Sequence, residues 1–112
     1  MRRLLFLLSV ALLTAATAAH ADVTEQQALA KAVGILKGDP YGDTERQVLA
    51  NITERKAVPR SATGCGGGAS PVWAFHVVVK RAADHDGGPI DGWLVIDVKT
   101  GRLVCTNLPF LD

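Results

Sequence analysis

Val72-Trp73-Ala74-Phe75-His76-Val77-Val78-Val79 is the stretch on which the reading of this chain turns. β-Branched and aromatic side chains fill it, Pro71 precedes it, and a polar, Gly-containing segment follows, which is the pattern of a strand. Side chains alternate across a strand. Trp73, Phe75, Val77 and Val79 therefore share one face, and Ala74, His76, Val78 and Lys80 share the other. The first face is expected in the core; the second is mixed and expected to be partly exposed.

Downstream, residues 82–91 read as a polar connection, and Trp93 to Val98 as a second strand. Val98-Lys99-Thr100-Gly101-Arg102 is a tight hairpin signal, with Gly101 at the place that needs positive φ. Asp97 before it suits a side chain that accepts turn N–H groups. Leu103-Val104-Cys105-Thr106 is the third strand, and Leu108, Phe110 and Leu111 suggest a tail that packs back.

Upstream, Pro59, Ser61, Gly64, Gly66, Gly67, Gly68, Ser70 and Pro71 crowd into a loop. Before that loop lies a short strand near Lys56-Ala57-Val58, stopped by Pro59. Residues 44–51 admit two readings. Thr44 caps a short helix with Val48, Leu49 and Ile52 inward, or Val48, Ala50 and Ile52 alternate as a strand; Glu45, Arg46, Gln47 and Ala50 favour the helix. The first element of this region is better punctuated. Thr24 and Gln27 form a capping box, and Leu29, Ala32, Val33 and Leu36 fall at i, i+3, i+4, i+7. Gly38 and Pro40 end it, which predicts a helix over 25–37. A helix followed by antiparallel strands is an α+β domain, with the amphipathic helix laid on one face of a small sheet.

The N-terminus has the parts of a cleavable signal peptide over residues 1–21. Arg2 and Arg3 are followed by the apolar run Leu4 to Leu13 and by Ala19-His20-Ala21. A spanning helix needs roughly 20 apolar residues, so an uncleaved anchor is the lesser alternative. The chain is expected to be exported, to periplasm or medium, as one domain over residues 22–112 with no stable membrane anchor. The whole sequence has 12 Lys+Arg and 11 Asp+Glu. Loss of Arg2 and Arg3 leaves ten basic residues against eleven acidic ones, with no basic stripe for nucleic acid. Cys65 and Cys105, an even pair in an exported chain, are expected to form a disulfide. The rival reading, a redox or nucleophilic cysteine, lacks a CxxC spacing.

The opening helix Glu25-Gln26-Gln27-Ala28-Leu29-Ala30-Lys31-Ala32 and the closing hairpin Gly92 to Val104 together resemble a PepSY-type domain. This is the small module of peptidase propeptides and of many exported bacterial proteins. Asp97, Thr100 and Gly101 fill the places of its Asp, two residues, Thr-Gly turn. The middle, residues 39–71, is longer than a minimal module, and the cysteine pair is not a general feature of it. Tyr41-Gly42 and the late strand pair are also similar to cystatin-like and NTF2-like folds, including small immunity-type proteins. The resemblance implies a non-enzymatic module that binds a protein partner, such as a peptidase, and implies no catalytic residue or cofactor. The alternative is a small-ligand or immunity-type protein on an NTF2-like cone, which requires a deep concavity holding His76 or a tryptophan.

Single residues support no sharper reading. Asp84-His85-Asp86 offers metal-ligand types, but three consecutive residues do not readily converge on one ion. Cys65-Gly66-Gly67-Gly68 lacks the Lys-Ser/Thr of a phosphate loop. His76 has no sequence-local partner for general-base work. His76, Trp73 and Trp93 are the candidate binding surface, with no metal expected.

Overall fold

The computed structural model describes residues 21–80 and 88–111. Residues 1–20 of the leader read at the N-terminus, with His20, and the Asp84-His85-Asp86 segment lie outside the described residues. Helix α1 spans Glu25–Leu36 and helix α2 Glu45–Asn51. Strand β1 runs over Ile52–Pro59, β2 over Pro71–Val79, β3 over Ile90–Asp97 and β4 over Leu103–Thr106. The strands form one antiparallel sheet in the order β1-β2-β3-β4. The architecture is α+β.

Both helices start on capping boxes. The Gln27 amide donates to Thr24 Oγ1 at 3.1 Å while the Thr24 amide donates to Gln27 Oε1 at 2.9 Å. Thr44 and Gln47 repeat the exchange at 3.2 Å each way. Each box satisfies amides that a helix start otherwise leaves without partners, and behind the second, capped by Thr44, Glu45–Asn51 is helix. Between the helices, Gly38 and Gly42 bond to each other through their backbones, both at positive φ. At Gly42 a Cβ would come within 2.7 Å of the Gln47 Cβ, so this bend requires glycine.

The inner face of the sheet carries the main core. Ala28, Leu29, Ala32, Val33 and Leu36 of α1, with Val48 of α2, pack on Phe75, Val77, Val79, Leu94 and Ile96. Tyr41 closes one end: it is buried, and its hydroxyl donates to the Pro109 carbonyl of the C-terminal tail. Leu108 is buried in the same core, whereas Phe110 is exposed, so only part of the tail packs back as expected. At the other end Trp73 Nε1 donates to the Val23 carbonyl at 3.0 Å, and the Val23 amide donates to the Val98 carbonyl at 2.7 Å. These bonds tie the chain ahead of α1 to the sheet.

Two strands begin several residues ahead of their expected starts. β1 begins at Ile52, directly after α2, rather than near Lys56, because pairing with β2 carries Glu54, Arg55 and Lys56 into the ladder against their weak strand propensity. β3 begins at Ile90 rather than Trp93, for Val77, Val78 and Val79 pair with Gly92, Asp91 and Ile90. The outer face is mixed and partly exposed, as expected: Ala74 is buried, His76 and Val78 are half-buried and Lys80 is exposed. At one end of it Val72, Ala74 and Val95 are fully buried, with Val58, Cys65, Trp93, Val104 and Cys105 packed against them. What covers them is the loop after β1, fastened by the Cys65–Cys105 disulfide across Cα atoms 5.9 Å apart. A small second core thus sits on the side of the sheet away from the helices.

Candidate functional site

The register of the sheet decides what the outer face presents. Glu54 lies opposite His76, His76 opposite Trp93, Lys56 opposite Ala74, Ala74 opposite Val95 and Val95 opposite Cys105. Along the strands this face has two halves. One half, Val58, Val72, Ala74, Val95 and Cys105, is apolar and roofed by the disulfide-held loop. The other half, Glu54, Lys56, His76, Asp91 and Trp93, has no such roof among the described residues.

In the open half the His76 and Trp93 rings stack, with centroids 4.7 Å apart and planes 8° from parallel. Lys56 Nζ stands 4.8 Å from the Trp93 ring centroid, within cation–π range, and 3.8 Å from Glu54 Oε2. His76 Nε2 lies 2.6 Å from Asp91 Oδ1, and its Nδ1 lies 3.9 Å from Glu54 Oε1. Both ring nitrogens therefore face carboxylates, and among the described residues no hydroxyl or thiol is hydrogen-bonded to the ring. The ring is thus held as a platform with charges at its rim. The side chains of Glu54, Lys56 and Asp91 are about half or more exposed, at 51%, 47% and 69%, so the rim charges are available to a partner.

Beside this platform, the Trp93 side chain walls a cleft of about 200 Å³ floored by Val58, Ala74 and Val95 and bounded by Lys56, Ala62 and Thr63. A more open depression of about 440 Å³ continues past Trp93 and Val95 to Gly64, Thr106 and Asn107, and an open one of about 710 Å³ lies away from the platform, between Pro40, Gln47, Asn51 and Lys80. Drug-sized ligands occupy roughly 300–1,000 Å³, so the first cleft suits one side chain better than a whole ligand. On the helix side, Phe75, Leu94 and Ile96 are fully buried and the sheet is filled.

The residues singled out from sequence divide cleanly. Cys65 and Cys105 are joined. His76 and Trp93 come together, while Trp73 lies on the inner face with its indole turned to Val23. Asp97, Thr100 and Gly101 form the hairpin turn: Asp97 Oδ2 accepts from the amides of Lys99 (3.1 Å) and Thr100 (2.8 Å), and Gly101 has φ 74°. Burial raises the Asp97 pKa. The Thr100 amide and hydroxyl, the Lys99 amide and the Arg60 guanidinium together outweigh it and hold the carboxyl below its ordinary 3.8. Sequence reasoning missed Glu54, Lys56 and Asp91. Only the pairing register brings them to His76 and Trp93, and the one local signal was the charge run 54–56 in a strand. Among the described residues no cluster of His, Cys, Asp and Glu suits a metal ion, and no helix is long and apolar enough to cross a membrane. Compared with known proteins, the chain significantly matches no family model, no curated protein and no solved structure.

Proposed function

We propose that the chain is an exported, non-enzymatic binding module that docks a protein partner, such as a peptidase, on the open half of its outer sheet face. The observation that carries this reading is the Trp93–His76 stack rimmed by Lys56, Glu54 and Asp91. Aromatic anchors framed by exposed charges are the usual centre of a protein–protein contact. Export rests on the leader pattern, and a disulfide accords with an oxidising compartment. The PepSY-like helix and hairpin supply the peptidase as the partner class. The inner face of the sheet, packed solid at Phe75, Leu94 and Ile96, favours this reading over the small-ligand cone. The test is capture from the exported fraction of the producing cell, with wild type and Trp93→Ala side by side. The proposal expects a discrete protein retained by the wild type and lost from Trp93→Ala. Equal capture by both, or capture by neither, would sink it.

A further inference from the structure

The free edge of β1 carries an inference that does not depend on the identity of any partner. Among the described residues β1 pairs with β2 on one side only, and it is exposed over five consecutive residues, Thr53 to Ala57. Its hydrogen-bonding phase follows from the structure. The Arg60 amide donates to the Ser70 carbonyl at 2.9 Å, continuing the ladder in which Val58 faces Val72, Lys56 faces Ala74 and Glu54 faces His76. In an antiparallel ladder the main-chain groups of alternate residues turn to one side. Those of Glu54, Lys56 and Val58 thus turn to β2, and those of Arg55 and Ala57 turn outward.

Glu54-Arg55-Lys56 is complementary to itself when read antiparallel about Arg55. A two-fold axis through Arg55, perpendicular to the sheet, keeps both outer faces on the same side. It lets the two Arg55 main chains exchange N–H···O bonds and places each Glu54 opposite the other copy's Lys56. These flanking positions are non-hydrogen-bonded pairs, where opposed side chains come closest, and opposite charges there are favourable cross-strand neighbours. The neighbouring two-fold positions lack this match, since an axis at Glu54 or Lys56 sets like charges face to face. The two Arg55 side chains meet on the other face, where both are exposed and long enough to diverge into water.

We propose that β1 is a self-pairing edge: two copies of this chain join antiparallel about Arg55 into one continuous sheet, held in register by two Glu54–Lys56 pairs. The partner is a second copy, chosen by this charge complementarity. The seam sets the two Trp93–His76 platforms on one continuous outer face. An interface of one strand is small, so the dimer is weak, with a dissociation constant on the order of 10 µM to 1 mM.

Sedimentation equilibrium of the wild-type chain over that concentration range, at low salt, tests the proposal. A reversible dimer weakened by added salt is expected. Glu54→Lys alone and Lys56→Glu alone each bring like charges together and are expected to weaken dimerisation at least about tenfold, equivalent to about 1.4 kcal/mol. An equimolar mixture of those two variants restores complementarity and is expected to recover the dimer, as is the double variant that exchanges the two charges. Circular dichroism of each variant shows whether the fold is kept. Ala57→Pro, which removes only an outward amide, is expected to be monomeric and folded. A monomeric wild type across the range would mean that the charges guard the edge instead; that result, or dimerisation indifferent to both charge reversals, would overturn the proposal.

Discussion

Gly92 has no side chain because two others occupy its place. A Cβ there would meet Asn107 Oδ1 at 2.5 Å and Leu108 Cδ2 at 2.8 Å. Its absence lets Asn107 Oδ1 accept from the Trp93 amide at 2.8 Å, while Thr106 Oγ1 donates to the Trp93 carbonyl at 2.8 Å. The residue that carries the platform is thus fixed through its main chain by the end of β4. Two other residues give stability a pH dependence at opposite extremes. The Asp97 carboxyl is depressed below 3.8 in the folded chain, so its contribution is present above that value and is lost as pH falls through the folded pKa. Burial pushes the Tyr41 hydroxyl up from 10.0 to about 12, so its contribution is full below 10.0 and is lost as pH rises toward about 12. The stability difference between wild type and Asp97→Asn, read from denaturant midpoints, should shrink below pH 3.8, and that between wild type and Tyr41→Phe should shrink above pH 10.0. Differences that stay flat through both windows would contradict these assignments.

At the level of elements, what was legible in the sequence was what local chemistry decides. Thr24 with Gln27 marked α1, and Asp97-Val98-Lys99-Thr100-Gly101 marked the turn before β4, because caps and tight turns are set by residues within a few positions of each other. β1 and the start of β3 were less legible, because Glu54, Arg55, Asp91 and Gly92 are poor strand formers held in place by partners elsewhere in the chain. The roofed half of the outer face was half legible. The two cysteines announced a staple, but not that the staple presses a loop onto Val72, Ala74 and Val95. Closing a loop of 40 residues stabilises a fold by roughly 3–4 kcal/mol on the chain-entropy model. Replacing both cysteines by serine should lower the unfolding free energy by about that amount. It should also increase binding of an apolar dye as Val72, Ala74 and Val95 lose their cover. A loss below about 1 kcal/mol with unchanged dye binding would show that the loop is held without the disulfide.

On the scale of the whole molecule, the sheet is a divider between two unlike surfaces. Its inner face is filled by the helices. Its outer face is roofed at one end and open at the other, and the open end collects a stacked aromatic pair with three charged neighbours. Trp93 and His76 were visible in the sequence as candidates. Their company was not, since Glu54, His76 and Asp91 belong to three different strands and meet only through the register. The β1 edge adds a second use of the same rim charges, with Lys56 serving both the Trp93 ring and the seam.

The central claim, that the open half of the outer face is where a partner docks, is tested most directly by site-specific photo-crosslinking in the producing cell. One photoreactive side chain is placed at Asp91, beside the His76–Trp93 stack, and another at Lys31, exposed on α1. The account predicts a discrete adduct to another protein from position 91 and none from position 31. An adduct from position 31 and none from position 91 would contradict it.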